Sequence, residues 1–402
     1  MHRILLVALA ISACGGGGSR SNLARAVIDT LPGGILRVTS PSPTGWADSS
    51  GARLVEELRF QGEEGSPGEL GDPRSMAVDE AGTIYIADTK PAVIKVFGPD
   101  GKFVRTFSRE GEGPGEFRIG FLAARNGRLA LHDPMVARTT LFDSAGTYLT
   151  SWRASCCYWS DIQLDRAGRI YVPSMSSPKP GDPPRGTPYV RWSQEGVALD
   201  TVWTPPGPTT KSWTVRVGEG NNRSMMSMSV PFSPVSQSTL HPDGGFVFGW
   251  NGAYTLVRSG TGADSMLVFG RSWAPDPIGD GRRQAEVESR VRASKDSYGE
   301  ANLRAVFKVE DIPATFPAFQ SLHVDESGRV WARRYAVSDS TRTTFDLFAG
   351  TGAWLGTVTA PFRVRDYGLQ VYTKSGFVAI IEDEEGRPTV VRVRLDIRPS
   401  DD

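Results

Sequence analysis

Three histidines, two adjacent cysteines and a set of acids are the residues beyond the N-terminal segment that could do chemistry. His132 is followed directly by Asp133, a pairing that suits a metal ligand or general acid–base work. His323 and His241 stand in other parts of the chain, at positions of different kind. A three-histidine metal site is therefore not expected. A single divalent ion, calcium or zinc, on His132 or His323 with acids is the one metal arrangement left open; otherwise no cofactor is expected. Cys156 and Cys157 are neighbours. Outside the cytoplasm they could close a vicinal disulfide, and equally they could be two buried thiols in a strand-end loop. Residues 176–179 read S-S-P-K, an S-x-x-K in form only, because a proline-rich loop gives no helix start to present a nucleophile. Nucleophile elbow and phosphate loop are both missing from the sequence. No catalytic residue is assigned.

The elements that must position these residues are short and repeated. Residues 71–117 hold four apolar runs, each closed by turn residues: 76–78 into D-E-A-G, 84–87 into an Asp88 loop, 93–97 into P-D-G, and 103–107 into a Gly/Pro loop. Alternating apolar residues bounded by Gly, Pro and Asp mark a four-stranded meander. The unit recurs from about 120 to 152, from 161 to 203, near 235–269, at 319–358 and at 367–395. His241 takes the turn position held by Asp79 and Asp325, whereas His132 ends a second strand and His323 lies within a first strand. The sixth unit supplies three strands. Residues 54–60 precede G-E-E-G-S-P-G-E-L as residues 103–107 precede G-E-G-P-G-E-F, so 54–60 is an outermost strand without its own blade. It is expected to complete the sixth blade and remove the open edge.

The expected architecture is all-β: a six-bladed β-propeller of four-stranded antiparallel blades over 52–398, closed by the N-terminal strand, with a helical insertion between blades four and five. Residues 71–117 resemble the NHL-type repeat through Gly111, Gly113, Gly115, Phe117, Ala87, Asp88, Val96 and Phe97. The chain is similar to bacterial lipoproteins described as six-bladed propellers. The repeat's usual Asn and Arg after Ala-Asp are replaced by Pro91-Ala92 and Ile94-Lys95. The resemblance also implies an alternative function, since some six-bladed relatives are metal-dependent lyases or lactonases: a metal-dependent hydrolase or lyase (lactonase-like or NHL-lyase-like) at the channel mouth.

Strand direction alternates within a blade, so b–c loops and d–a connections share one face. The three long insertions, 173–188, 204–234 and 273–317, all fall there, and the other face keeps tight D-x-x-G turns. Long loops on one side of a rigid scaffold are where binding resides. The stretch R-R-Q-A-E-V-E-S-R-V-R-A-S-K within 273–317 reads as a rim helix with a thin apolar stripe, and Met225, Met226 and Met228 offer an adaptable apolar contact. Second-strand ends on this face give a candidate binding rim: Asp88, His132, Asp133, Ser174, Trp250, Asn251, Arg333, Arg334, Glu382 and Asp383, with Glu112 and Glu116 adding acids. The leading expectation is a binding or scaffold protein that holds a protein, peptide or glycan at this face.

The address is read at the N-terminus. His2-Arg3, an apolar run at 4–11 and Ile-Ser-Ala-Cys14 resemble a lipoprotein signal, with 1–14 the signal peptide and Cys14 the lipidated residue. Residues 15–51, opening on Gly15–Gly18, read as a flexible tether. A lipid-anchored, extracytoplasmic protein of the cell envelope is expected, with the outer membrane favoured. Basic and acidic residues balance at 45 each, which removes the electrostatic case for nucleic acid. A monomer is expected.

Overall fold

A computed structural model describes residues 26–46, 51–154, 162–175, 181, 184–218, 224–260, 265–337, 341–365 and 369–398. Cys14, residues 15–25, Cys156, Cys157 and the 176–179 segment lie outside them.

Six four-stranded antiparallel blades form a ring at 73–107, 121–153, 163–203, 236–271, 321–360 and 370–397, the last completed by Ala52–Phe60. The closing strand runs antiparallel to Pro388–Ile397, with Leu54 opposite Leu395 and Val55 opposite Arg394. Its pairing removes the open edge that three strands would leave.

The turns form where their chemistry demands. Asp79 accepts the Ala81 and Thr83 N–H groups on Oδ1, at 3.0 and 2.8 Å, and Gly82 at φ +84° closes the reversal without a Cβ penalty. Asp325 repeats the arrangement with Ser327 and Arg329 at 2.9 and 3.0 Å. Inside the ring, each junction between neighbouring blades has its own apolar cluster. The junction of blades five and six is richest in rings, with Trp331, Phe345 and Phe377 all fully buried. The junction of blades three and four is the thinnest, with Tyr171, Leu240 and Phe246 as its buried members.

Part of the expected tether is instead part of the ring. Val27–Thr30 and Leu36–Ser40 form a hairpin, and the second of these strands pairs parallel to Ser265–Arg271, widening blade four to six strands. The chain then crosses blade five, where the Thr44 and Trp46 N–H groups bond the Trp354 and Leu355 carbonyls at 2.8 and 2.9 Å. Residues 26–46 and 51–60 thus belt the outer edges of blades four, five and six. The alternation of Leu36–Ser40 explains this correction: Val38 and Ser40 are buried, and the Ser40 hydroxyl accepts the Trp354 N–H at 2.9 Å.

Two of the insertions, 204–234 and 273–317, are not separate loops either. Residues 204–234 contain a hairpin, Ser212–Val217 with Ser224–Ser229. Residues 273–317 contain α1 (Asp280–Tyr298) and α2 (Glu300–Val306). These pack on each other around a core of their own, in which Trp213, Val215, Val287, Val291, Leu303, Phe307 and Ile312 are buried. Trp213 stacks on Phe307 at 4.6 Å, and its indole N–H donates to Asp311 at 2.9 Å. Met226 and Met228 pack against this core, while Met225 is exposed. The result is a small cap, built from two chain segments, on the insertion-bearing face.

Candidate functional site

The expected rim residues divide into struts and surface. Asp88 is fully buried, accepts the Gly71 and Asp72 N–H groups at 2.7 Å each, and pairs with buried Lys95 at 2.9 Å. Lys95 also donates to the Glu69 carbonyl, so the residue standing near the repeat's missing Arg fastens the preceding loop. Asp133 does the same in blade two, accepting the Arg118 and Met135 N–H groups at 2.6 and 2.8 Å. Asn251 does so in blade four, accepting from Val235 N–H at 2.6 Å and donating to the Phe319 carbonyl at 2.7 Å. Arg333 is buried and donates to the Val364 carbonyl at 2.7 Å. These second-strand ends tie d–a connections down, as buried polar groups must find partners. Asp383 sits in a D-x-x-G turn of its own, accepting the Arg387 N–H at 2.7 Å and Arg387 Nε at 3.0 Å. Its carboxyl is held down to about 2, with burial opposing and the Gln61 and Arg387 hydrogen bonds prevailing. Glu382 is exposed and faces Arg365 at 3.4 Å. Of the two acids in the first d–a loop, Glu112 pairs with Arg118 at 2.8 Å and Glu116 with Arg109 at 2.7 Å.

The histidines are apart from one another and desolvated. His132 is fully buried, with Nδ1 3.0 Å from the Thr139 hydroxyl and Nε2 without a partner among the described residues; burial pushes it down to about 4. Burial likewise lowers His241 to about 4, with Arg258 and Arg166 adding repulsion. His323 faces the central channel, its ring stacked on Tyr372 at 4.5 Å and Nε2 3.1 Å from the Ser321 hydroxyl. Among the described residues, no three His, Cys, Asp or Glu side chains converge as a metal site would require.

Three of the spaces among the described residues could hold a molecule, one along the axis and two on the insertion-bearing face. The central channel, about 390 Å³, is walled by the first strands of all six blades. Arg125 of blade two and Glu326 of blade five pair across it at the tight-turn end. A second space of about 430 Å³ lies over the thin junction of blades three and four, walled by Pro205, Pro206, Pro208 and Trp250. The largest, about 840 Å³, lies between the cap and blade five. Gln237 lines all three spaces, and Gln320 lines the channel and the large cleft.

The cleft is strongly cationic. Arg282 and Arg290 come from α1, and Arg333, Arg334, Arg342 and Arg363 from the blade-five side, against Asp276 and Glu286. Residues 282, 286 and 290 form one stripe of α1, while Val287 and Val291 turn into the cap core. Phe232 projects beneath Arg282, 5.8 Å from the guanidinium to the ring centroid, and packs on Phe316 at 5.0 Å. Its φ of +57° is a conformation bulky residues rarely take, held here by that packing. The thin stripe noted in the sequence gave the buried face of α1; Arg333 and Arg334 were among the expected rim residues, whereas Arg282, Arg290, Arg342 and Arg363 were missed, because no spacing in the sequence signals them.

No family model matches the chain, and no curated protein matches it. Solved structures do. A member of the DUF4221 family from Bacteroides vulgatus superposes with a TM-score of 0.52 at 9% identity, covering 87% of this chain and all of that one. That likeness shows the fold alone. A protein of Bacteroides fragilis designated as exported has a TM-score of 0.49 at 12% identity, covering 90% of this chain and 99% of its own. Virginiamycin B lyase from Staphylococcus aureus has a TM-score of 0.41 at 10% identity, covering 86% of this chain and 100% of its own.

Proposed function

We propose that this protein is an NHL-like, extracytoplasmic, lipid-anchored propeller that binds a ligand of the cell envelope, in the cleft between cap and blade five. The address rests on the Cys14 leader and the glycine run behind it. The binding role rests on one observation: two insertions from different blade junctions share a core, and together they roof an 840 Å³ cleft. A cavity of that size with a few convergent polar groups is typical of ligand sites. The cap has no part in closing the ring, so its upkeep needs another reason.

Binding outranks catalysis in this reading because of the histidines' surroundings. His132 and His241 are shut away from the cleft, and the carboxylates of Asp88 and Asp133 are occupied by backbone N–H groups.

Peptide and glycan arrays test the reading with the intact protein and with Ala336→Trp, which places an indole in the cleft wall. Binding by the intact protein that Ala336→Trp abolishes is the expected result. Binding that Ala336→Trp leaves untouched would move the site elsewhere and defeat the proposal.

A further inference from the structure

Resting on that reading, we propose that the ligand is an acidic oligosaccharide, whose carboxylates bridge the arginines of the cap to those of blade five while its sugar rings run toward Trp250. Three observations carry this. Charge comes first: six arginines face two acids, and they stand on both walls of the cleft. Like charges on facing walls repel, so an anion between them draws cap and propeller together. Arginine is the side chain suited to this, since its planar fork matches a carboxylate with two parallel hydrogen bonds. Arg290 and Arg363 have no ion-pair partner among the described residues, and they stand on opposite walls.

Continuity is the second observation. Gln237 lines the arginine cleft and also the neighbouring groove, where Trp250 is 39% exposed. A half-exposed indole offers a flat apolar face to the C–H side of a sugar ring, with the prolines 205, 206 and 208 as the opposing wall. Composition is the third. Gln237, Gln320, Ser233 and Tyr335 present amide and hydroxyl groups that both donate and accept, as sugar hydroxyls require. An acidic peptide shares the carboxylates, and preference for one is among the outcomes of the test.

Calorimetry of the full-length chain with short oligogalacturonate, a neutral oligosaccharide of equal length and poly-glutamate tests this. Oligogalacturonate is expected to bind, more weakly as salt rises. Arg290→Gln with Arg363→Gln should weaken it at least about tenfold, Trp250→Ala should weaken it, and Ala336→Trp should abolish it. Neutral sugar binding that survives the arginine changes but not Ala336→Trp would overturn the acidic ligand and leave the cleft standing. Preference for poly-glutamate would overturn the glycan. Binding indifferent to Ala336→Trp would overturn cleft and ligand together, and absence of binding to all three probes would overturn the acidic glycan.

Discussion

Arg125 at the end of a first strand in blade two and Glu326 in the a–b turn of blade five, 201 residues apart, form an ion pair at the tight-turn end of the propeller channel. Arg166 strengthens the same end by donating to the Glu326 carbonyl at 2.8 Å and pairing with Asp243. The channel is thus bridged at one end and meets the cap cleft at Gln237 and Gln320.

The ion pair predicts a coupled mutational response. Glu326→Ala strands the largely buried Arg125 guanidinium and should cost about 1–3 kcal/mol in urea unfolding. Arg125→Ala with Glu326→Ala should cost less than the sum of the two single changes, because they share one interaction. Additive costs would show that the pair is incidental.

Asp88 is expected to matter for stability and not for binding. Asp88→Ala leaves Lys95 charged and buried without its partner and should cost about 3–5 kcal/mol. Denaturant titration reads the loss, and the folded fraction should keep its affinity for the cleft ligand. Full stability with lost affinity would return Asp88 to the ligand site.

The belt makes a third prediction. Trp46 is buried against blade five and donates to the Thr357 carbonyl at 3.2 Å. A Cβ on Gly356 would lie 2.2 Å from the indole nitrogen. Trp46→Ala should cost about 3–5 kcal/mol, and Gly356→Ala about 1–3 kcal/mol by overpacking. Both should expose the segment before residue 51 to limited proteolysis.

Acid should weaken the fold. Burial holds His132 and His241 near 4 in the folded state and His323 at about 3, with Arg333 adding repulsion to the last. An unfolded histidine titrates near 6.5. Between pH 6.5 and 4 the unfolded chain binds more protons, so the stability these groups contribute is complete above pH 6.5 and is lost as pH falls. Unfolding midpoints across this range should drop steadily, and His132→Gln should make the slope shallower by about one proton. An unchanged slope would show that His132 does not titrate as its burial requires.

How much of this was legible depended on whether a residue's role was local. Asp79, Gly82, Asp325 and Gly328 announce their turns, because carboxylate acceptance and positive φ act within five residues. The closing strand was legible because its following loop repeats the loop after Phe107. The Val27–Thr30 and Leu36–Ser40 hairpin was not: its outer strand is wholly exposed, and its partner, Ser265–Arg271, lies far along the chain. Asp88, Asp133 and Asn251 were found as the ends of second strands, but residue type alone does not separate a rim ligand from a strut. The cap escaped notice because each insertion holds only part of one core. Trp213 and Phe307 look like isolated loop aromatics until they stack.

Hydrogen exchange of the full-length chain, with and without the oligogalacturonate, tests the central claim most directly. Slower exchange across residues 280–298 and 333–337, with the tight turns around Arg125 and Glu326 unchanged, is the predicted result. Protection confined to those turns, or to the outer belt at 26–46, would contradict a binding site beneath the cap.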